Sequence, residues 1–420
     1  MAEQRKQFWV ILIIVFLGFL GISMPYLIFP SLFLNPAYSI LDASWNESSR
    51  ALLLGVTLAA YPLGQFIGSP ILGSLSDDYG RKSLLWGSLL VSAVCYLLSG
   101  FAIAWHSLEL LILGRFLAGL MEGNIAIARA MASDLKLISK PEAFGKINAA
   151  ASIAYLIGPL LGGLMTDTNL SENLSTSTPF YFICILFIFL AGLSAAVLKT
   201  EVPGKKNTPR TFWERINLVK RLAQLFSNKW LQFLIISSTC FTLAVDIFFE
   251  FGPVFLTVKW FLMPAQLVLY NVVLCLSLIA GNGWLPAFIA SRKISNKSAI
   301  IYSTGGFALL LVGMVLTESS EMMLGLFICS GFAIGLASTL FTVKISNSVQ
   351  DSIQGEVMGV QTSLRVLGDA FICLTGGALL LLSPKIILIV ATLLSIASTA
   401  YYVFRRQANS STWLLPGNKA

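Results

Sequence analysis

The chain has 420 residues, of which 56% are apolar and 11% charged, with a formal net charge of +8. That charge content is less than half of the ~25% usual in a soluble domain, which excludes a water-soluble globular protein of this size. Twelve spans of ~20 apolar residues would use roughly 240, so the composition and length predict an all-α polytopic membrane protein with short loops.

In chain order, apolar segments predict spans near 8–33, 50–75, 84–104, 109–132, 144–166 and 179–198, then 230–256, 265–289, 298–317, 322–344, 356–382 and 385–404. The first follows Arg5 and Lys6 but is too long for a signal-peptide core and lacks a clear small-residue cleavage site. It is expected to remain as an uncleaved anchor. Between the two sets of six lies a linker at 199–229, and a tail follows at 405–420. The expected organisation is therefore a six-helix half over 1–198, the linker, and a second half over 230–404. In the linker, Thr211 and Glu214 have capping-box spacing, and Phe212, Ile216, Val219, Ala223 and Phe226 recur opposite Arg215, Lys220 and Arg221. This pattern suits a helix on the membrane surface, and it equally suits a solvated basic linker.

Basic residues near span ends resist export, so their distribution sets orientation. With the N-terminus inside, 22 of the 28 Lys and Arg fall on inner segments. Arg50, Lys259 and Lys385 fall outside, and Arg115, Arg129 and Arg365 lie within spans. The expectation is a multi-pass protein of the cytoplasmic (inner) membrane with both termini cytoplasmic. The same asymmetry accounts for the net charge, which is not read as nucleic-acid binding. The nine tryptophans fall at span ends or in loops, as amphipathic rings at a headgroup zone should. All six cysteines fall within spans, so no disulfide framework and no metal-ligand spacing is expected.

The halves share sequence. An offset of 214 residues carries Glu142, Gly145, Gly162 and Gly163 of span five onto Glu356, Gly359, Gly376 and Gly377 of span eleven without a gap. Two six-span repeats related by an axis along the membrane normal are an arrangement of secondary transporters, with solute bound between the halves near the midplane.

Charges inside spans cost ~2.5–3.5 kcal/mol at a helix centre and should face a partner or a wet cavity. Arg115, Glu122 and Arg129 recur every seven residues in span four, which places them on one face. In span eleven Gln361, Arg365 and Asp369 recur every four, so Arg365 and Asp369 are spaced for an ion pair. Thr242, Asp246 and Glu250 repeat the pattern in span seven, where a solvated outer vestibule is the alternative setting. Burial disfavours the charged form of a carboxylate and a neighbouring arginine favours it, so such groups can exchange protons as the structure rearranges. Glu122, with no basic residue within one turn, is the first candidate for proton coupling and is expected to face the central cavity. Asp246 and Asp369 follow. Asn271 and Asn282, with Tyr61 and Tyr155, suit either a cavity for an amphiphilic molecule or bonds between helices.

The stretch Gly73-Ser-Leu-Ser-Asp-Asp-Tyr-Gly-Arg-Lys82, between spans two and three, resembles the corresponding loop of the major facilitator superfamily, at Gly73, Asp77, Gly80, Arg81 and Lys82. Gly114-Arg115-Phe-Leu-Ala-Gly119 resembles a second family motif in part, with Ala118 where Gln is frequent. Ala154-x-x-x-Gly158-Pro159-x-x-Gly162-Gly163 is similar to the motif of its antiporters, with Ala in place of the first Gly. The resemblance is strongest to the drug:proton antiporter group, which includes tetracycline exporters. It implies a solute and protons as partners and a proton gradient, rather than a bound cofactor, as energy source. It also implies a role for Arg115 in proton transfer, and a cytoplasmic latch in which Asp77 faces the N-terminal end of helix eleven near Gly355 and Glu356 while Arg81 pairs with Asp134. Asp78 departs from the basic residue usual at its place. Small residues around Pro159 suit a tightly packed, bent helix able to seal against the other half.

Other classes fare worse on the sequence. Neither Gly145-Lys146 nor Gly204-Lys205 completes a phosphate-binding loop. A membrane-embedded enzyme lacks an evident base for any nucleophile, since the single histidine, His106, lies in a short outer loop. No extramembrane segment is long enough to bind a protein partner as a domain. An importer or facilitator of a metabolite or siderophore shares every helix with an exporter and stays open.

Overall fold

A computed structural model describes residues 2–35, 39–42, 44–135, 140–167, 170–199, 229–348 and 351–404. The linker helix and the tail predicted above lie outside them. Among the described residues the regular structure is helical: α1 (Ala2–Ser23), a 3₁₀ turn (Met24–Leu27), α2 (Phe29–Leu34), α3 (Glu47–Tyr79), α4 (Arg81–Ala104), α5 (Leu108–Leu120), α6 (Gly123–Asp134), α7 (Lys140–Leu164) and α8 (Thr178–Val197). After the linker come α9 (Lys229–Trp260), α10 (Pro264–Ser291), α11 (Asn296–Leu316), α12 (Ser320–Ser346), α13 (Asp351–Leu380) and α14 (Pro384–Phe404). By length and hydropathy eleven segments can cross a membrane, and α7 adds a shorter apolar stretch, Ala149–Leu164. Helices suit this setting because hydrocarbon offers no partner to an unpaired backbone group.

Local chemistry starts and stops them. Asn46 accepts from the Ser49 N–H at 2.7 Å to begin α3, and Ser295 accepts from the Ser298 N–H at 3.1 Å to begin α11. Gly80, at φ 96°, ends α3 and opens α4, a backbone conformation that side chains rarely adopt.

Two spans expected as continuous helices are broken. In the first, Pro25 and Pro30 each remove a backbone donor, and the chain passes from α1 through the 3₁₀ turn into α2. In the fourth, a turn at Met121 and Glu122 separates α5 from α6, with Gly119 and Gly123, poor helix formers, on either side. In α13, the helix of the eleventh span, Gly355 and Glu356 lie at least a turn inside the helical stretch described from Asp351 rather than at its N-terminal end.

Within the first half, α4 packs on α8, α3 on α5, and α1 on α7. Within the second, α10 packs on α12, and α14 on α9 and α11. Across the halves, α3 packs against α13 and α7 against α10, while the 3₁₀ turn and α2 touch α9. A Cβ on Gly55 of α3 would stand 2.7 Å from the Gly377 Cα of α13, so these two backbones meet at glycine. Lys199, just after α8, pairs with Glu3 of α1 at 3.0 Å.

Candidate functional site

The sequence spacing points to an Arg365–Asp369 pair along one helix, but the structure pairs Arg365 with Asp246 instead. Arg365 Nη2 lies 2.6 Å from Asp246 Oδ1 and Nε lies 2.8 Å from Oδ2, a two-pronged bond from α13 to α9. A guanidinium presents two parallel donors, and the facing helix offers both carboxylate oxygens, which a neighbour four residues along the same helix does less well. The Asp246 side chain is 7% exposed and that of Arg365 49%, so the pair has one dry end and one open end. Asp246 therefore does not sit in a solvated vestibule. Asp369 accepts a weak bond from the Cys373 thiol, and Gln361 donates to Ser238 Oγ at 3.0 Å, a second polar tie from α13 to α9. Thr242 spends its hydroxyl on its own helix, bonding the Ser238 carbonyl at 2.9 Å. Glu250 lies one turn beyond Asp246 on α9.

Arg115 is buried on α5 between two rings, its guanidinium carbon 4.4 Å from the Tyr61 centroid and 5.0 Å from that of Phe29. Among the described residues its Nε and Nη1 meet no hydrogen-bond acceptor. Aromatic faces supply the attraction that a carboxylate supplies to Arg365. Glu122 is 8% exposed at the break between α5 and α6. It borders a small cavity with Tyr61, Ser92, Tyr96 and Asn124. The lining comes from α1, α3, α4, α5, α6 and α8, so Glu122 faces the interior of the first half rather than a cavity between the halves. Tyr61 joins the two sites, since Arg115 lies over its ring and Glu122 shares its cavity. The Arg129 side chain lies outside the described residues.

The antiporter-like motif divides its contacts. Gly158 and Gly162 of α7 press on the end of α1 and the 3₁₀ turn, at Ser23, Leu20 and Met24, within their own half. Gly163 alone of the three meets the other half, at Val268 and Pro264 of α10. Pro159 lies inside α7. In the loop motif, Gly73 has open space where a Cβ would sit, and Arg81 and Lys82 are half-buried at the start of α4. The side chains of Asp77, Asp78, Asp134 and Glu356, on which the latch depends, lie outside the described residues.

Asn282 serves helix packing, its Oδ1 accepting from Thr339 at 2.9 Å. Asn271 instead borders a narrow cleft with Tyr26, Phe248, Phe249, Tyr270 and Phe327. Tyr155 stacks on Tyr26, the ring centroids 6.4 Å apart and the planes 7° from parallel. Sequence reasoning did not single out Tyr26, Phe29, Tyr96 or Ser92. A signal for the first two was present in the prolines beside them, Pro25 and Pro30, which break the first span and turn both rings toward neighbours. For Tyr96 and Ser92, ordinary members of an apolar helix, the sequence carries none.

Among curated proteins the chain is 35% identical to the class H tetracycline resistance protein of Pasteurella multocida, over 46% of this chain and 44% of that one. It is 31% identical to the quinolone resistance protein NorA of Staphylococcus aureus, over 49% and 48%. The chain thus spans about half the length of these two relatives. Multidrug resistance protein 2 of Bacillus subtilis matches more extensively, 24% identical over 90% of this chain and 89% of that one. Among solved structures, the human organic anion transporter MFSD10 superposes with a TM-score of 0.69 at 16% identity, over 96% of this chain and 100% of that one. A D-xylose-proton symporter does so at 0.69 and 14%, over 95% and 97%. The family model of the Major Facilitator Superfamily matches residues 11–373, and with this sequence match and this all-helical membrane fold the chain belongs to that superfamily.

Proposed function

We propose that this chain is a secondary active transporter of the cytoplasmic membrane, with both termini cytoplasmic, that exports a small amphiphilic solute in exchange for protons by alternating access of its two halves. The observation that carries the proposal is the ion pair inside an apolar bundle, Asp246 pinned by Arg365. Groups this costly to bury persist where they act. Burial disfavours and a paired arginine favours the charged form of a carboxylate, so a movement of α13 against α9 that makes or breaks the pair couples proton occupancy to conformation. Glu122, in its polar cavity, is the second candidate. The latch of Asp77, Arg81 and Asp134 belongs to this reading as the closure of the cytoplasmic side.

Export is favoured over import by the relatives' names as tetracycline, multidrug and quinolone resistance proteins, since moving a toxic solute out is how a transporter confers resistance. The fold is shared with a proton symporter, so fold alone is neutral on direction. The test is reconstitution into vesicles with an imposed pH gradient, offering cationic, neutral and anionic solutes. Solute movement should follow the gradient and run opposite to it. Accumulation unchanged when the gradient is collapsed would falsify proton coupling, and movement with the proton would favour the importer.

A further inference from the structure

We infer that the end of the second half where α9 begins and α12 and α14 end holds the phosphate of an anionic phospholipid, seated at Lys344; that this end faces the inner leaflet rests on the orientation proposed above. Lys344 lies in the last turn of α12 and is half-buried. Its Nζ stands 5.8 Å from the ring centroid of Trp230, at the start of α9, and 5.6 Å from that of Tyr402, near the end of α14. Polar and aromatic contacts fix this setting. Trp230 donates from Nε1 to Ser348 Oγ at 3.3 Å, and Ser348 Oγ donates to the Lys344 carbonyl at 2.7 Å. Phe233 packs on Trp230 at 5.3 Å between centroids, on Tyr401 at 5.0 Å and on Tyr402 at 5.3 Å.

Ring faces attract an ammonium but do not neutralise it. A second lysine shows what is missing. Lys259, at the opposite end of α9, lies against two rings as well, Phe255 and Trp260, and there Glu318 completes the site at 3.2 Å. Among the described residues Lys344 pairs with no carboxylate. Its neighbours add charge of the same sign: Lys297 lies in the first turn of α11, which packs on α12, and Lys229, Arg292 and Lys293 lie at the same end. No acid stands among the described side chains at that end of the second half. An anion therefore has to come from outside them. A basic pocket between helices at the cytoplasmic side suits a lipid headgroup. The surface beside it favours a lipid over a free anion, since Val343 and Tyr401, next to Lys344 and Tyr402 in the chain, are 44% and 39% exposed and Phe404 is 85% exposed. Acyl chains can cover that apolar flank while the phosphate meets the ammonium.

The test uses the full chain in detergent and two probes with the same chains, dioleoylphosphatidylglycerol and dioleoylphosphatidylcholine, with retained lipid counted by native mass spectrometry. The wild type should prefer the phosphatidylglycerol roughly tenfold, the scale that one or two basic residues at a membrane surface supply. Lys344→Gln should remove roughly fivefold of that preference, and Lys344→Arg should keep it. Lys385→Gln, at the other end of the second half, should leave it unchanged. No preference in the wild type, or an unchanged preference in Lys344→Gln, overturns the site. A phosphatidylglycerol with a diazirine in its headgroup gives a reading that needs no variant: label on the peptides of Trp230, Lys344 or Tyr402 supports the site, and label confined elsewhere overturns it. Sodium phosphate should displace the lipid no better than sodium chloride of equal ionic strength; specific displacement assigns the site to a free anion and overturns the lipid reading. Retention in detergent does not depend on sidedness. An N-terminal tag found outside the cytoplasm thus removes the proposed orientation and leaves the site standing, while a cytoplasmic tag without the lipid preference removes the site alone.

Discussion

The unequal exposure of the Asp246–Arg365 pair makes a directional prediction about its two halves. Two opposite charges near 4 Å attract by about 4 kcal/mol at an effective dielectric of ~20, and here the contact is closer and two-pronged. Arg365→Met leaves the Asp246 carboxylate, 7% exposed, without its partner, and breaking a buried pair in this way costs about 3–5 kcal/mol. Asp246→Asn keeps a side-chain oxygen that can still accept from the guanidinium, so the cost should be smaller, about 1–3 kcal/mol. The double variant should recover part of the larger loss, with an interaction energy of about 1–3 kcal/mol. The buried free thiols of Cys95, Cys184, Cys275 and Cys373 supply the assay, since a maleimide dye that brightens on reaction reports their exposure as detergent-solubilised protein is heated. The reasoning is refuted if Asp246→Asn lowers the transition as far as Arg365→Met does, or if the double variant is the sum of the two.

Glu122→Gln, nearly isosteric in its cavity, should keep the thermal transition within a few degrees and remove the dependence of vesicle transport on the pH gradient; retained dependence assigns Glu122 a packing role. Asp77→Asn should leave the protein inserted and folded but slow transport several-fold, and full transport by correctly inserted protein sinks the latch. Gly377→Val puts a side chain against Gly55 and the Ala51 carbonyl, so it should cost about 1–3 kcal/mol and block transport, while Gly73→Ala, with open space at its Cβ, should leave the transition unchanged or raised. Arg115→Lys keeps the charge but loses the flat guanidinium between Phe29 and Tyr61, for a loss of about 0.5–2 kcal/mol in the same melting assay; an unchanged transition means that charge alone matters there.

The helices were legible because apolar runs of membrane length need no tertiary information to be recognised. The breaks were less so. Pro25 and Pro30 are signals in plain sight, yet a proline can bend a transmembrane helix without ending it, and the turn at Met121 is decided by packing around Gly119 and Gly123. The charged residues were legible as costly, but their partners were not. Spacing along one helix suggests Arg365 with Asp369, since sequence displays only neighbours on the same helix, and the true partner comes from a span more than a hundred residues away. Glu122 shows the same limit. Its face of span four was readable, but the elements covering that face, Ser92 and Tyr96 of α4 among them, were not.

The internal repeat now separates scaffold from chemistry. Gly162 packs on the end of the first span and Gly163 on α10; their counterparts at the offset of 214, Gly376 and Gly377, pack on Phe251 of α9 and on Gly55 of α3. The first of each pair thus holds its own half and the second meets the other, so the repeat in sequence is a repeat in geometry. Within the same aligned stretch the charges do not repeat: Arg365 corresponds to Ala151 and Asp369 to Tyr155. Close backbone approach is a requirement both interfaces share, and only glycine meets it, so both copies keep it. A buried charge is costly and meets no packing requirement that the two interfaces share, so nothing in the packing asks for it in both copies. The part of α13 that faces Asp246 is therefore where the two halves differ in chemistry, and Tyr155, stacked on Tyr26 at the equivalent place in α7, puts an aromatic surface where the other half carries the Asp369 carboxylate.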